Sequence, residues 1–214
     1  MNDSINAQSF LFSFEGIEGS GKTTQIQLLK SYLESKSFDV LCLREPGGTL
    51  FGEKLRQAIL DSDSPIHPLA EAHLFAASRA QLITEKILPF LAAPKRIVIL
   101  DRFIDSSIAY QGLARGLGIE TVLDLHTHGP LQLRPSKTFY LDISLETSLQ
   151  RQDSRGSIKD YFEKEKESFY LNLIEGFGHC LKLFPKRIQK INASFDKETV
   201  NQEILKTVQN EFKL

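Results

Sequence analysis

Cysteine is scarce in this chain: Cys42 and Cys180 are the two among 214 residues. Cys42 sits in an apolar, strand-like run and Cys180 in a helical one, without the paired spacing of a disulfide framework or a zinc site. Both read as buried or free thiols of a protein kept in a reducing compartment. Also lacking is an apolar run long enough to span a bilayer. The opening residues, MNDSINAQS, hold neither the basic cluster nor the apolar stretch of a signal segment. These absences lead us to expect a cytoplasmic protein with no membrane contact. An excess of one charge is missing too: 26 Lys and Arg against 27 Asp and Glu leave a net charge of -1, spread along the sequence. That balance provides no broad positive field and argues against a nucleic-acid partner. His67, His73, His126, His128 and His179 lack ligand-like spacing and read as structural or surface residues. There is no internal repeat or low-complexity block.

What is present suffices for one sizeable core. A hydrophobic content of 41% over this length predicts a single domain spanning 1–214. Short apolar runs of strand type at 10–14, 40–43, 97–100, 138–141 and 188–191 alternate with helix-type stretches. The helix-type stretches fall at 22–35, 53–60, 69–91, 104–110, 119–128, 145–152, 162–184 and 197–212. This alternation predicts an α/β fold with a parallel sheet covered by helices on both faces. Ligands of such sheets sit at the carboxyl ends of the strands, so the residues after each strand matter most.

The first strand runs straight into Gly16-Ile17-Glu18-Gly19-Ser20-Gly21-Lys22-Thr23-Thr24. Gly16, Gly21, Lys22 and Thr23 fit G-x-x-x-x-G-K-[ST], in which a strand ends, wraps its amides round a phosphate and restarts as a helix. The loop amides and the positive end of that helix face negative charge. Lys22 would reach the β- and γ-phosphates of a nucleotide, and the Thr23 hydroxyl would take one position on a Mg²⁺ that otherwise keeps mostly water. The second strand ends in Arg44-Glu45-Pro46-Gly47-Gly48-Thr49, a tight turn with Arg44 placed either for an anion or for a surface ion pair. The third ends in Asp101-Arg102. Asp101 stands where phosphate-loop proteins hold Mg²⁺, and Arg102 would offer a planar fork to a second phosphate. Ser106, Tyr110 and Gln111 follow, with groups able to read a sugar and a base edge. Phe75 and Arg79 lie four apart on one helix face, as a ring to stack on a base and a donor beside it, unless Phe75 is core. Arg151 and Arg155 leave a helix in a polar stretch at about 151–160, which reads as a lid over a transferring phosphoryl group.

Taken together, FEGIEGSGKTT (14–24), REPGGT (44–49), LFAASRAQ (74–81), DRFIDSSIAYQG (101–112) and KINAS (190–194) closely resemble bacterial thymidylate kinases. The resemblance spans almost the whole chain in the family's order. It implies the P-loop nucleoside monophosphate kinase fold with a parallel five-stranded sheet flanked by helices. It also implies transfer of phosphate from Mg-ATP to dTMP in dTTP biosynthesis, and a homodimer. It further implies that residues 16–24 bind ATP, with Glu18 near the sugar 3′-hydroxyl of dTMP and Arg102 on the dTMP phosphate. Phe75 would stack on thymine, Arg79 and Ser106 would read its polar edge, and Tyr110 and Gln111 would line the sugar and base pocket. Glu18 in the loop, with no arginine there, looks like the bacterial subtype whose catalytic arginine comes from the lid, here Arg155 with Arg151 in support. The lid departs from many relatives in having Asp153 where they carry another arginine, and Phe103 replaces their Tyr or His.

Other readings stay open at this stage. Another monophosphate or a nucleoside is an alternative acceptor, against which the set Phe75, Arg79, Ser106 and Gln111 speaks. A nucleotide-hydrolysing switch would need a base-reading motif such as N-K-x-D, which the sequence lacks. A silent scaffold would be expected to lose Lys22, Thr23 or Asp101, and all three are present.

Overall fold

The computed structural model describes residues 5–153, 161–162 and 165–214, all but the side chain of Asp153. Its centre is a five-stranded sheet, β1 (Phe10–Glu15), β2 (Asp39–Arg44), β3 (Arg96–Asp101), β4 (Lys137–Asp142) and β5 (Ile188–Asn192). All neighbours are parallel, in the order β2-β3-β1-β4-β5. The chain builds one half of the sheet and then crosses β1 to build the other, which leaves a crevice at the carboxyl ends of the central strands. Register fills that crevice: Asp101 lies opposite both Phe14 of β1 and Arg44 of β2, and Glu15 lies opposite Tyr140 of β4.

The helices are α1 (Lys22–Ser35), α2 (Leu50–Leu60), α3 (Pro68–Leu82), α4 (Leu88–Leu91), α5 (Ile104–Ser107), α6 (Ile119–Leu125), α7 (Leu145–Asp153), α8 (Glu167–Leu183) and α9 (Lys197–Phe212). Side-chain caps start some of them. The Thr49 hydroxyl accepts the Gly52 amide at 2.9 Å at α2, and Asp196 accepts the Thr199 amide at 2.9 Å at α9. α1 differs: its N-cap Gly21 is left-handed, φ 93°, and supplies no side-chain acceptor. The first-turn amides of α1 are therefore available to an anion.

The expected strands are found to within a residue at each end, but five expected helices differ: α2 begins at Leu50 rather than 53, α6 ends at Leu125 rather than 128, and three others depart further. The stretch 69–91 runs as α3, a π-helical turn at Ile83–Ile87, and α4. Pro89 in α4 has no N–H, which releases a carbonyl of the preceding turn and widens it. After α5 the backbone also winds as a π-helix, Ile108–Ala114. The helix expected from 162 begins only at Glu167, leaving Phe162 in the turn before it.

Phe12, Phe14, Ile99, Leu100 and Phe139 are fully buried at the middle of the sheet, with the Phe139 ring 6.1 Å from Phe12 and 5.2 Å from Phe14. Each such side chain stabilises the fold by roughly 2–3 kcal/mol. Cys180 is buried and Cys42 half-buried, both as free thiols. Among the described residues no helix is long and apolar enough to cross a membrane.

Candidate active site

The turn after β1 has the shape its glycines permit. Gly16 has φ 142°, and a Cβ there would lie 2.6 Å from the Leu141 carbonyl oxygen, so the loop could not pass β4 with any other residue. Lys22, the first residue of α1, folds over the loop and donates to the carbonyls of Gly16 at 3.1 Å and Ile17 at 3.2 Å. Burial and the nearby Arg102 charge lower its ammonium to about 8, against the opposing pull of Asp101, Glu18 and Glu15.

Arg102 follows β3 with φ 69°, a left-handed conformation rare outside glycine and strained. Its Nη1 donates to the Gly16 carbonyl at 3.0 Å and to the Ser106 hydroxyl at 3.3 Å, and its Nη2 lies 3.7 Å from Glu18. The guanidinium sits 5.1 Å over the Tyr110 ring. Gly16 thus accepts from Lys22 and Arg102 together. Beneath them Glu15, the last residue of β1, accepts the Phe103 amide at 2.8 Å and the Ser106 hydroxyl at 2.5 Å. Burial and the neighbouring Asp105 push the Glu15 carboxyl up to about 8. Asp105 is itself buried in a two-pronged pair with Arg187 at 2.6 and 2.7 Å.

These residues open on a cleft of about 330 Å³ bordered by Glu18, Gly19, Gly21, Lys22, Thr23 and Thr24 on the loop side. Its other walls include Arg44, Phe75, Asp101, Arg102, Ser106, Tyr110 and Gln111. Asp101 keeps a buried Oδ1 with no hydrogen-bond partner among the described residues. The arrangement joins a phosphate cradle, an unmatched carboxylate oxygen, a second cation and an aromatic, amide-bearing recess. It suits transfer of a phosphoryl group between two anions, which needs positioning and charge compensation more than a nucleophilic side chain.

A sequence profile of the thymidylate kinase family matches residues 14–204. A thymidylate kinase of Thermoanaerobacter sp. (strain X514) is 45% identical over 196 residues, 92% of this chain and 95% of that protein. One of Chlorobium luteolum is 43% identical over 95% of this chain and 98% of its own length. The chain belongs to the thymidylate kinase family. The crystal structure of the thymidylate kinase from Ehrlichia chaffeensis superposes with a TM-score of 0.73 at 33% identity, covering 94% of this chain and 98% of that one. The fold is accordingly that of the P-loop nucleoside monophosphate kinases.

Against the residues singled out in the sequence, the thymidylate kinase cleft gathers most on its walls. Arg44 borders it while paired with Glu53 at 3.3 Å. Phe75 is half-buried there, its ring 6.2 Å from Phe162. Arg79 stands behind the wall instead. It is 1% exposed and donates to Glu45 at 2.8 and 2.5 Å, to Ser107 at 3.0 Å and to the His126 ring at 2.7 Å. His126 gives its Nδ1 proton to the Val122 carbonyl and is lowered to about 4 by burial and by Arg79, so the neutral ring accepts from the arginine. Arg151 donates to the carbonyls of Gly19 and Ala193, both at 3.1 Å, and lines a second recess with Ser20, Thr24, Gln25 and Phe195. Arg155 lies outside the described residues.

Sequence reasoning passed over Glu15, Glu71, Asp105 and Phe162. Glu15 had a signal, as the one ionisable residue of β1, set directly before the loop. Phe162 borders the cleft and meets Tyr110 edge-on at 5.3 Å, a contact invisible in the sequence because 51 residues separate the two rings.

Proposed function

We propose that the chain, acting as one domain, transfers the γ-phosphoryl group of ATP to dTMP in the cytoplasm, yielding ADP and dTDP for dTTP synthesis. The observation that carries this reading is the placement of Arg102. It touches the phosphate loop through Gly16 and Glu18 and the base-side recess through Ser106 and Tyr110, so one cleft has separate cations for a donor and an acceptor phosphate.

Lys22 and the amides of residues 16–24 hold the donor phosphates, and the recess near Arg151 and Phe195 takes the adenosine end. Arg102 holds the acceptor phosphate. Phe75 stacks on thymine, Ser106, Tyr110 and Gln111 line its pocket, and Glu18 faces the sugar. Arg79 acts through Glu45 and Ser107, which border the cleft, and Arg44 adds charge at the rim. An oxygen of the dTMP phosphate attacks the γ-phosphorus in line, the bond from that phosphorus to the bridging oxygen breaks, and ADP leaves. Two anions must meet, so compensation of their repulsion supplies most of the acceleration. The lid arginine Arg155 adds charge to the transferring group, and Arg151 supports it from the Gly19 end of the phosphate loop.

The residues present fit a Mg²⁺ ion: the unpartnered Asp101 Oδ1 and the Thr23 hydroxyl belong to one cleft. Bound there, the ion would neutralise phosphate charge. Family likeness supports a homodimer without nucleic acid as partner.

The test is ADP release from Mg-ATP with dTMP, dUMP, UMP, CMP, AMP or GMP offered separately. Preference for dTMP, with dTDP formed, is the expected result. Equal ADP release without acceptor, or faster turnover of another monophosphate, overturns it.

A further inference from the structure

Behind the base-side wall lies a buried acid that the phosphoryl transfer does not use. Glu71, on α3, is 0% exposed, and Gln111, on the π-helical stretch, is 1% exposed. The Gln111 side-chain nitrogen Nε2 donates to Glu71 Oε1 at 2.7 Å. Arg115 Nε lies 3.4 and 3.2 Å from the two Glu71 oxygens, and Arg115 Nη1 is fixed by Glu165 at 2.5 Å. Burial pushes the Glu71 carboxyl up, while the bonds from Gln111 and Arg115 pull it back. The other end of the amide, Gln111 Oε1, is buried and has no partner among the described residues, although Gln111 borders the cleft.

A carboxamide has two donors at one end and an acceptor at the other, and a half-turn about its last bond exchanges them. A carboxylate accepts only. Paired with Arg115, Glu71 can take the NH₂ end of Gln111 and would repel the oxygen end. We propose that Glu71 is a positioning residue that locks the Gln111 amide with its oxygen as the group left for the nucleotide, so that the recess selects a pyrimidine whose ring nitrogen at position 3 carries a hydrogen. Thymine and uracil satisfy that acceptor. Cytosine presents a lone pair at the same atom, leaving two acceptors opposed and the buried oxygen unmatched, the kind of mismatch by which a hydrogen-bonding site rejects an analogue strongly. This inference rests on the dTMP kinase reading and adds a residue to it that touches no substrate.

The test compares the wild-type enzyme with Glu71→Gln and Glu71→Asp, measuring kcat and KM for dTMP and dCMP and KM for ATP. Glu71→Gln keeps the shape but can donate as well as accept, so Gln111 is free to turn. Its KM for dTMP should rise about tenfold or more, the dTMP-to-dCMP ratio of kcat/KM should fall by a similar factor, and KM for ATP should stay within about twofold. Glu71→Asp keeps an acceptor-only group and should preserve the preference over dCMP. An unchanged preference in Glu71→Gln overturns the proposal, as does loss of preference in Glu71→Asp. Should Glu71→Gln fail to fold, Glu71→Ala, which also removes the acceptor-only group, takes its place: loss of the preference over dCMP is expected, and an unchanged preference overturns the proposal. A wild-type enzyme that does not phosphorylate dTMP at all would instead overturn the functional reading beneath it.

Discussion

The Glu15 carboxyl holds the Ser106 hydroxyl at 2.5 Å, and that same hydroxyl accepts from Arg102 at 3.3 Å. A buried acid at the end of β1 thereby supports a cleft-facing arginine through one intermediary. Its protonation is tied to folding. The carboxyl stands at about 8 in the folded chain against an ordinary 4.5, because of burial first and Asp105 second.

A raised acid binds its proton more tightly folded than unfolded. The linked stability is complete below the unfolded value of 4.5 and is lost as pH climbs through about 8. Wild-type Tm should therefore contain a component that declines by several degrees from about pH 5 to about pH 8.5. In Glu15→Gln, neutral throughout, that component should vanish and the Tm profile should be flatter. Parallel profiles of the two proteins, recorded by circular dichroism, would show that Glu15 ionises normally.

The fork of Arg102 spans Gly16 and Ser106 with one nitrogen and faces Glu18 with the other. Lysine at this position keeps the charge but not the geometry. Arg102→Lys should lower kcat/KM for dTMP by about 10²-fold with a smaller change in KM for ATP, and Lys22→Ala should lower kcat by about 10²-fold or more. Steady-state kinetics with each substrate varied in turn checks both. Near wild-type rates in purified protein would remove these residues from the mechanism.

Gly176 of α8 faces Ala109 so closely that a Cβ would lie 2.7 Å from the Ala109 Cα. Backbone cannot yield there cheaply, so Gly176→Ala should destabilise the protein by about 1–3 kcal/mol. The displaced stretch holds Tyr110 and Gln111, and KM for dTMP should rise while KM for ATP holds. Chemical denaturation and kinetics on the same preparation give both numbers; an unaltered midpoint would mean that α8 shifts freely.

Arg151 and Arg155 should separate kinetically. Arg151 ties the Gly19 and Ala193 carbonyls together, so Arg151→Ala should raise KM for ATP several-fold. Arg155→Ala should lower kcat much more than it alters either KM, the mark of an interaction made chiefly in the transition state. An effect of Arg155→Ala confined to KM would make it a binding residue.

The strands and the phosphate loop were legible because their signals are local: an apolar run of fixed length, then glycines at fixed spacing. The loop residues, Asp101, Arg102 and the 106–111 segment could be placed at one sheet edge by topology alone. The buried acids could not, since what makes Glu71 or Asp105 unusual is a partner 44 or 82 residues away. Arg79 shows the same limit. Its spacing from Phe75 predicts one shared face of α3, yet Glu45, 34 residues off, draws the guanidinium behind the wall. The π-helical turns escaped because 3.6-residue periodicity hardly distinguishes a wider turn over so few residues.

One peptide oxygen, that of Gly16, is the shared anchor of Lys22 and Arg102. A donor nucleotide that draws the lysine away leaves this oxygen wholly to the arginine, and an acceptor that draws the arginine away leaves it to the lysine. The two substrates then feel each other through a single backbone dipole, and whatever resistance one meets from the other must be returned in equal measure. Mutual antagonism between the pair would in that case be a property of the turn itself, present before any chemistry begins.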